Sequence, residues 1–363
     1  MSDQALSPYE KIAVLGAGAW GTALAALAAR AGRDVMLWGR DAEVIGGINE
    51  QQENPRYLPG IALPNGLAAT TSLSEAVSDA DAILLVTPSS TLTNVCTQLS
   101  PALPQNVPIA LCCKGIDTTS GRLLHDVAHE LLPTHPIGAL SGPTFAAEAA
   151  RGLPTAVTIA FEDIPGDPAA RLALSLGSES FRPYISHDLS GVEVCGAVKN
   201  VIAIACGMMA GAGFGENTRA ALVTRGLDEI RRLSLALGGR IETVMGLAGI
   251  GDLSLTCASP TSRNMGLGLQ LGQGIPRAEC FDGRPVVVEG EVNAVSVRQI
   301  AQRAGVEMPI AEAVHAILHE GADLAETFAT LWARPLRHEA SDTTSLPHPT
   351  DARAVQEFAE KLR

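Results

Sequence analysis

Lysine is scarce in this 363-residue chain: of 26 basic residues only four are lysines, Lys11, Lys114, Lys199 and Lys361. No run of Lys or Arg forms a basic stripe, and the net charge of −13 sets a repulsive background for nucleic-acid phosphates and anionic lipid. Nucleic acid and membrane surfaces are therefore excluded as expected partners. An anionic small molecule is still admitted, because its site needs only a few local donors. The seven cysteines are odd in number, lie mostly in apolar runs and include no C-x-x-C pair, so they read as reduced core thiols and not as a disulfide framework. The first ten residues carry no apolar signal segment, and no uncharged apolar stretch of 18 residues is present to span a bilayer. The expectation is a cytoplasmic protein with no stable membrane insertion. There is no internal repeat at a fixed period and no low-complexity tract.

What is present points to two domains. A chain of this length with 46% apolar residues exceeds what one core usually organises. Short apolar and β-branched runs at Ile12–Leu15, Asp34–Trp38, Ala82–Val86, Ile109–Cys113, Ile137–Leu140 and Thr155–Ala160 alternate with helical patterns. That alternation predicts an α/β domain with a mostly parallel sheet over residues 8–188. After His187 the strand signals fade, and Gly191–Gly207, Asn217–Leu237 and Val292–Ala304 read as helices. An all-α domain over 189–334 follows, then a polar tail, 335–363, with a short amphipathic helix from Asp351 to Leu362. No Pro/Ser/Gly linker surrounds Asp188, so the domains are expected to meet over a fixed interface whose cleft is the natural site.

The first strand leads into Gly16-Ala-Gly18-Ala-Trp20-Gly21 and an Ala-rich helix. In that order Gly16 makes a tight turn, Gly18 lets backbone approach a pyrophosphate, and Gly21 lets helix and strand pack closely, with the helix N-terminus facing the anion. Strand, turn and helix in sequence favour dinucleotide binding over a structural turn. Gly266-Leu-Gly268 through Gly272 has the wrong third spacing and reads as helix packing; Gly211-Ala-Gly213-Phe-Gly215 reads as a tight turn between helices. At the end of the second strand, Arg40 could pair with a 2′-phosphate, whereas Asp41 could bond a 2′-hydroxyl or cap the next helix. Of NADP and NAD, this favours NADP.

In a chain that otherwise uses Arg, two lysines in apolar or glycine-rich surroundings point to amine chemistry. An amine's pKa can be pulled down until it exchanges protons near neutrality. Lys114 follows a strand at the carboxyl edge of the sheet, where ligands collect. Ser141-Gly142-Pro-Thr144 occupies the corresponding place one strand on, offering hydroxyls and a close backbone, or else a turn and a helix cap. Glu193 to Asn200 is a helical stretch that sets Lys199 beside Asn200; a buried Lys199 requires a partner such as Asp252 or an abnormal titration, and either marks a site. Asp252, with Ser262, Arg263 and Asn264, adds an acid, a hydroxyl, a guanidinium suited to phosphate and an amide. The pairs His125/His129 and His315/His319 have helical spacing but no further ligand, so they read as helix-surface histidines and no metal is expected.

These residues resemble the bacterial-type NAD(P)-dependent glycerol-3-phosphate dehydrogenases over almost the whole chain. The matching segments are Gly16–Ala25, Asn54-Pro-Arg-Tyr57-Leu-Pro-Gly60, Cys113-Lys114-Gly, Ser141-Gly142-Pro-Thr144-Phe-Ala146, and Cys195-Gly-Ala-Val-Lys199-Asn200. Further on come Gly213-Phe-Gly-Glu-Asn217-Thr-Arg219, Gly251-Asp252-Leu, Ser262-Arg263-Asn264 and Val287-Val-Glu289-Gly. The resemblance implies a Rossmann domain, an all-helical second domain and a homodimer. It implies Lys199 as general acid/base, substrate contacts at Lys114, Gly142, Thr144, Asp252, Ser262, Arg263 and Asn264, and cofactor contacts at Trp20, Arg40, Lys114, Ala146, Arg263, Val287 and Glu289. Departures from the family pattern are Ala19 in place of a frequent Ser, Glu291 and Ala294 after the Glu289 segment, and the tail beyond Arg334.

The implied reaction is NAD(P)H-dependent, reversible reduction of dihydroxyacetone phosphate to sn-glycerol 3-phosphate, which supplies the glycerophospholipid backbone. Lys199 would neutralise and protonate the developing oxyanion, Lys114 would lower the pKa of Lys199, Asp252 would orient it, and Arg263 with Asn264 would hold the phosphate. Two other readings stand beside it. A hydroxyacid or ketopantoate-type dehydrogenase would use the same cations on a carboxylate, and a non-catalytic dinucleotide-sensing regulator would bind the cofactor without turnover.

Overall fold

The computed structural model describes residues 6–337, 345–346, 356–357 and 359–360; of the terminal helix expected over Asp351–Leu362 only 356–357 and 359–360, which are helical, fall among them. The chain forms two compact units, Met1–Ala197 with Ser234–Leu255, and Val198–Leu233 with Thr256–Arg363.

The first unit is built on an eight-stranded sheet: β1 Lys11–Leu15, β2 Asp34–Trp38, β3 Leu67–Thr70, β4 Ala82–Leu85, β5 Ile109–Leu111, β6 Ile137–Ser141, β7 Thr155–Phe161 and β8 Phe181–Ser186. Their order is β8-β7-β6-β5-β4-β1-β2-β3. Every neighbouring pair is parallel except β6 with β7, which is antiparallel. The mostly parallel sheet expected from the alternation is what forms. Strands β4, β5 and β6 are buried along their whole length, so they show in the sequence as unbroken apolar runs. Val14 and Leu84 pack on one face with Leu24 and Leu27 of the helix Ala19–Arg30. Leu15 and Leu85 pack on the other with Leu92, Val95 and Leu99, the period-2 alternation of a sheet covered on both sides. The two strands without a sequence signal, β3 and β8, are the sheet's edges. Ala-rich β3 and Pro-bearing β8, with Tyr184 and Ile185 exposed, present no apolar run to detect.

The second unit is helical, with Glu216–Ala236, Arg263–Gly272, Glu289–Ala304, Pro309–His319 and Leu324–Trp332 joining the later turns of Leu189–Gly211. A short antiparallel pair, Leu336–Arg337 with Ser345–Leu346, follows. The glycine segment read as helix packing does pack: a Cβ on Gly268 would lie 2.1 Å from the Ile204 carbonyl oxygen, and one on Gly207 would lie 2.2 Å from that of Met265. The helices Leu189–Gly211 and Arg263–Gly272 therefore touch main chain to main chain. Gly213, with φ +87°, makes the expected turn between Leu189–Gly211 and Glu216–Ala236. By length and composition Leu189–Gly211 and Ile241–Ala258 are apolar enough to cross a membrane; in the first, 89% of the apolar window is buried in the protein, as in a core helix.

Candidate functional site

The glycine loop has the geometry its spacing predicts. Gly16 adopts φ +128°, and a Cβ there would come within 3.0 Å of the Val86 carbonyl group. At Gly21 a Cβ would lie 1.8 Å from the Gly16 oxygen, so only glycine lets the helix close on the turn. Gly18 differs: a Cβ there would meet nothing within 4 Å. Its backbone borders open space at the start of Ala19–Arg30, a helix with no side-chain cap and no acidic residue in its first turn. Such an N-terminus keeps its N–H donors and partial positive charge for an anion. Trp20 stands in that first turn, partly buried.

Asn54 holds the loop, a role the sequence does not reveal. Fully buried, it donates from Nδ2 to the Ala17 carbonyl oxygen at 3.0 Å and to Thr22 Oγ1 at 2.8 Å, while its Oδ1 accepts from the Tyr57 amide at 3.0 Å. Beyond β2, Arg40 is exposed. Asp41 takes the capping option: its Oδ1 accepts from the Glu43 amide at 3.0 Å and its Oδ2 from Arg56 at 2.7 Å. The Arg56 bond, with help from the backbone donors, holds the Asp41 carboxyl below its usual range. Arg56 thus joins Arg40 as a second guanidinium near the end of β2, found only through this pairing.

Lys114 lies just past β5, and its Nζ donates to Asp252 Oδ2 at 2.6 Å and to the Gly142 carbonyl oxygen at 3.4 Å. The Asp252 side chain is 2% exposed and that of Lys114 16%. Asp252 reaches this place because the chain widens into a π-helical turn at Leu247–Gly251 immediately before it; π-bulges recur at functional sites. Gly142 sits at φ +155°, where a Cβ would lie 2.9 Å from Val157 Cα. The buried hydroxyls of Ser141 and Thr144 have no hydrogen-bond partner among the described residues, and the cap of the helix Ala146–Ala150 uses neither. A buried hydroxyl without a partner is costly, so both are suited to a ligand.

In the helical unit, Lys199 is 6% exposed and its Nζ donates to Thr256 Oγ1 at 2.8 Å. Asn200 donates to Glu289 Oε2 at 3.2 Å and its Oδ1 accepts from Asn264 Nδ2 at 2.9 Å; Asn264 Oδ1 in turn accepts from the Gly290 amide at 2.8 Å. This closed network fixes both amides and the start of the helix Glu289–Ala304. Ser262 is an N-cap, its Oγ accepting from the Met265 amide at 3.3 Å, and Arg263 stands exposed in the first turn it caps. Val287 is exposed and Ala146 half-buried at a helix start.

Of the four histidines expected on helix surfaces, His129 and His319 are exposed, whereas His125 and His315 are covered. His125 Nδ1 lies 2.8 Å from Glu193 Oε2 and its amide donates to the same carboxylate at 3.1 Å, while His315 is buried beside Arg298. Other elements cover these two side chains, which a helical spacing alone cannot show. Among the described residues no group of three or more His, Cys, Asp or Glu could hold a metal ion. All seven cysteines are free, and burial raises the Cys96 thiol to about 11.

Sheet, glycine turn and uncapped helix define a dinucleotide-binding α/β protein of the Rossmann kind. Residues 11–165 match the family described as NAD-dependent glycerol-3-phosphate dehydrogenase N-terminus, and residues 188–329 match its C-terminus. A glycerol-3-phosphate dehydrogenase [NAD(P)+] of Parvibaculum lavamentivorans is 51% identical over 91% of this chain and 98% of its own length. One of Rhodospirillum rubrum is 49% identical over 94% and 97%. The crystal structure of glycerol-3-phosphate dehydrogenase from Coxiella burnetii superposes with a TM-score of 0.84 at 40% identity, covering 90% of this chain and 99% of that one. The chain belongs to the NAD-dependent glycerol-3-phosphate dehydrogenase family.

Proposed function

We propose that the chain reduces dihydroxyacetone phosphate to sn-glycerol 3-phosphate, reversibly, with NADPH or NADH. The observation that carries the chemistry is Lys199, an amine almost wholly buried and aimed by its bond to Thr256. A buried amine is in the right class to give a proton to an oxygen that becomes an alkoxide and to take it back in reverse. Relatives of about half identity along nearly their full length bear this one activity in their names, which favours it over the hydroxyacid, ketopantoate and sensor readings.

The cofactor fits the chain on the open space over Gly18 at the start of its uncapped helix. Gly16, Gly18, Trp20, Gly21 and Arg40 would hold it, with contributions from Lys114, Ala146, Arg263, Val287 and Glu289. When bound, the nicotinamide supplies hydride to the keto carbon. Asp41 is engaged in a cap and an ion pair, and Arg40 and Arg56 stand near it, so the reading prefers NADPH.

For substrate, Lys114 offers a cation set in place by Asp252, and Gly142 and Thr144 offer close backbone and a hydroxyl. Arg263 would pair with the phosphate, with Asn264 and Ser262 shaping its surroundings and Asn200 held by Asn264 and Glu289. Fixing the phosphate fixes the ketone, and positioning of this kind can outweigh acid catalysis. We place the enzyme in the cytoplasm, where free thiols persist, as a homodimer; the large apolar side chains exposed on the helical unit, Val287, Val292 and Trp332, support association. The test follows nicotinamide absorbance with dihydroxyacetone phosphate against a panel of 2-keto acids. Turnover of a keto acid but not of the triose phosphate would replace this reading with the hydroxyacid one.

A further inference from the structure

The glycine loop follows the carboxyl end of β1, whereas Pro108 and Pro136 precede the amino ends of β5 and β6, at the opposite edge of the sheet. There the first unit opens into a cavity of about 440 Å³. That volume falls within the roughly 300–1,000 Å³ of small-molecule sites. Its polar lining is rich in groups that can donate hydrogen bonds: the Arg171 guanidinium, the imidazoles of His125, His129 and His135, and Tyr9, Asn106 and Thr134, with Glu162 as the one carboxylate of the lining. In a chain of net charge −13 such a collection runs against composition. It is not a metal site, because no three His, Cys, Asp or Glu among the described residues converge closely enough to hold an ion. A larger anion fits the same groups without that convergence.

Two of these side chains are already oriented. Arg171 is anchored through Nε to the Ser7 carbonyl oxygen at 2.9 Å, and its guanidinium lies 4.0 Å from the centroid of the Tyr9 ring. Burial alone would lower the His125 pKa, but the bond to Glu193 and the charge of that carboxylate outweigh it and hold the imidazole above its ordinary value. The His125 imidazole thus lines the cavity in a fixed orientation, with Asp126 3.5 Å from its Nε2. Its partner Glu193, whose side chain is 4% exposed, sits on the helix Leu189–Gly211, which also carries Lys199.

We propose that this cavity is a second ligand site, for a small polyanion, and that its occupancy reaches the helix Leu189–Gly211 through the His125–Glu193 pair. The site itself is independent of the reductase reading; only its effect on turnover rests on it. Calorimetric titration of the full chain with inorganic pyrophosphate, and separately with citrate, tests the site. Arg263→Ala removes the competing phosphate contact proposed above. We expect a saturable event that survives Arg263→Ala and weakens at least about tenfold in Arg171→Met/His129→Gln, whose turnover without polyanion matches wild type. Should the double variant not fold, exposed His129→Gln alone gives the same comparison with a smaller loss. Saturating polyanion should change kcat at least about twofold in wild type and leave Glu193→Gln unchanged. An event lost in Arg263→Ala, or of equal strength in the cavity variants, overturns the site; binding without any change in kcat overturns the coupling.

Discussion

Replacing Lys199 by Met keeps most of the side-chain volume and deletes the amine, so it separates proton transfer from packing. The amine is buried and donates to Thr256 Oγ1 at 2.8 Å. The structural loss includes the hydrogen bond to Thr256, about 0.5–1.5 kcal/mol net. The thioether's packing offsets part of this. The variant should therefore fold, with a thermal midpoint a few degrees lower. The chemical loss is of another order: general acid/base help is worth about 10²–10⁴ in rate, or about 2.7–5.5 kcal/mol in the barrier. The assay is oxidation of NADPH by dihydroxyacetone phosphate, with cofactor affinity measured independently by calorimetric titration with NADPH. The expected result is kcat down at least about a hundredfold with cofactor affinity within about threefold of wild type. A kcat within tenfold of wild type, with cofactor bound normally, would refute the assignment of Lys199.

Arg263→Ala should raise the KM for dihydroxyacetone phosphate about 10- to 150-fold, the equivalent of the roughly 1.5–3 kcal/mol of a hydrogen bond to a charged group, while kcat with saturating substrate falls much less; an unchanged KM would remove Arg263 from the phosphate site. Gly268→Ala forces a Cβ to 2.1 Å from the Ile204 carbonyl oxygen, an overpacking that costs about 1–3 kcal/mol or more; thermal unfolding followed by circular dichroism should show a lower midpoint, and kinetics a joint loss in kcat and KM. Glu229 is buried beneath the start of Pro309–His319, accepting from the Ile310 amide at 2.6 Å and the Ala311 amide at 3.3 Å, and burial raises its carboxyl to about 8 despite those donors. Because the folded pKa lies above the unfolded one, this group's contribution is full at acid pH and is lost as pH rises toward 8, at about 1.4 kcal/mol per pH unit inside that window. Denaturant melts from pH 5 to 8 should show this slope, and Glu229→Gln should flatten it; an equal slope in the variant would contradict it.

What the sequence made legible is what local geometry encodes. The three loop glycines have distinct steric reasons that their spacing already implies, and strands buried on both faces appear as unbroken apolar runs. The edge strands β3 and β8 escaped because half-exposed pairing leaves no such run. Lys114 was found as an amine at the right sheet edge, but its bond to Asp252 joins residues 138 positions apart, and no short-range pattern records that. Asn54 likewise appears in the sequence only as part of a matching segment; its clamp on Ala17 and Thr22 exists because the short strand Glu53–Asn54, paired with Leu58–Ala62, lies against the glycine turn. His125 read as a surface residue because the partner that buries it, Glu193, belongs to another helix.

The helical unit holds the Lys199 amine and the Arg263 guanidinium, the two groups proposed to act on the substrate, with little freedom between the helices that carry them. Main-chain contact at Gly207 and Gly268 repeats one turn on, where a Cβ on Gly211 would lie 2.1 Å from the Leu269 oxygen and one on Gly272 would lie 2.0 Å from that of Met208. Two helices in backbone contact over successive turns have no side-chain layer to yield between them, so their register is set by hard contact. Lys199 and Asn200 lie about two turns before these glycines on one helix, and Arg263 and Asn264 open the other. The Asn200–Asn264 bond, with the Gly290 amide on the far side of Asn264, closes the same junction by hydrogen bonds. Lys199 and Arg263, the proton donor and phosphate ligand proposed above, are thus spaced by two independent restraints on one pair of helices, and a slip in either would move both at once. For this reason the glycine substitution should affect kcat and KM together, whereas Lys199→Met and Arg263→Ala should separate them.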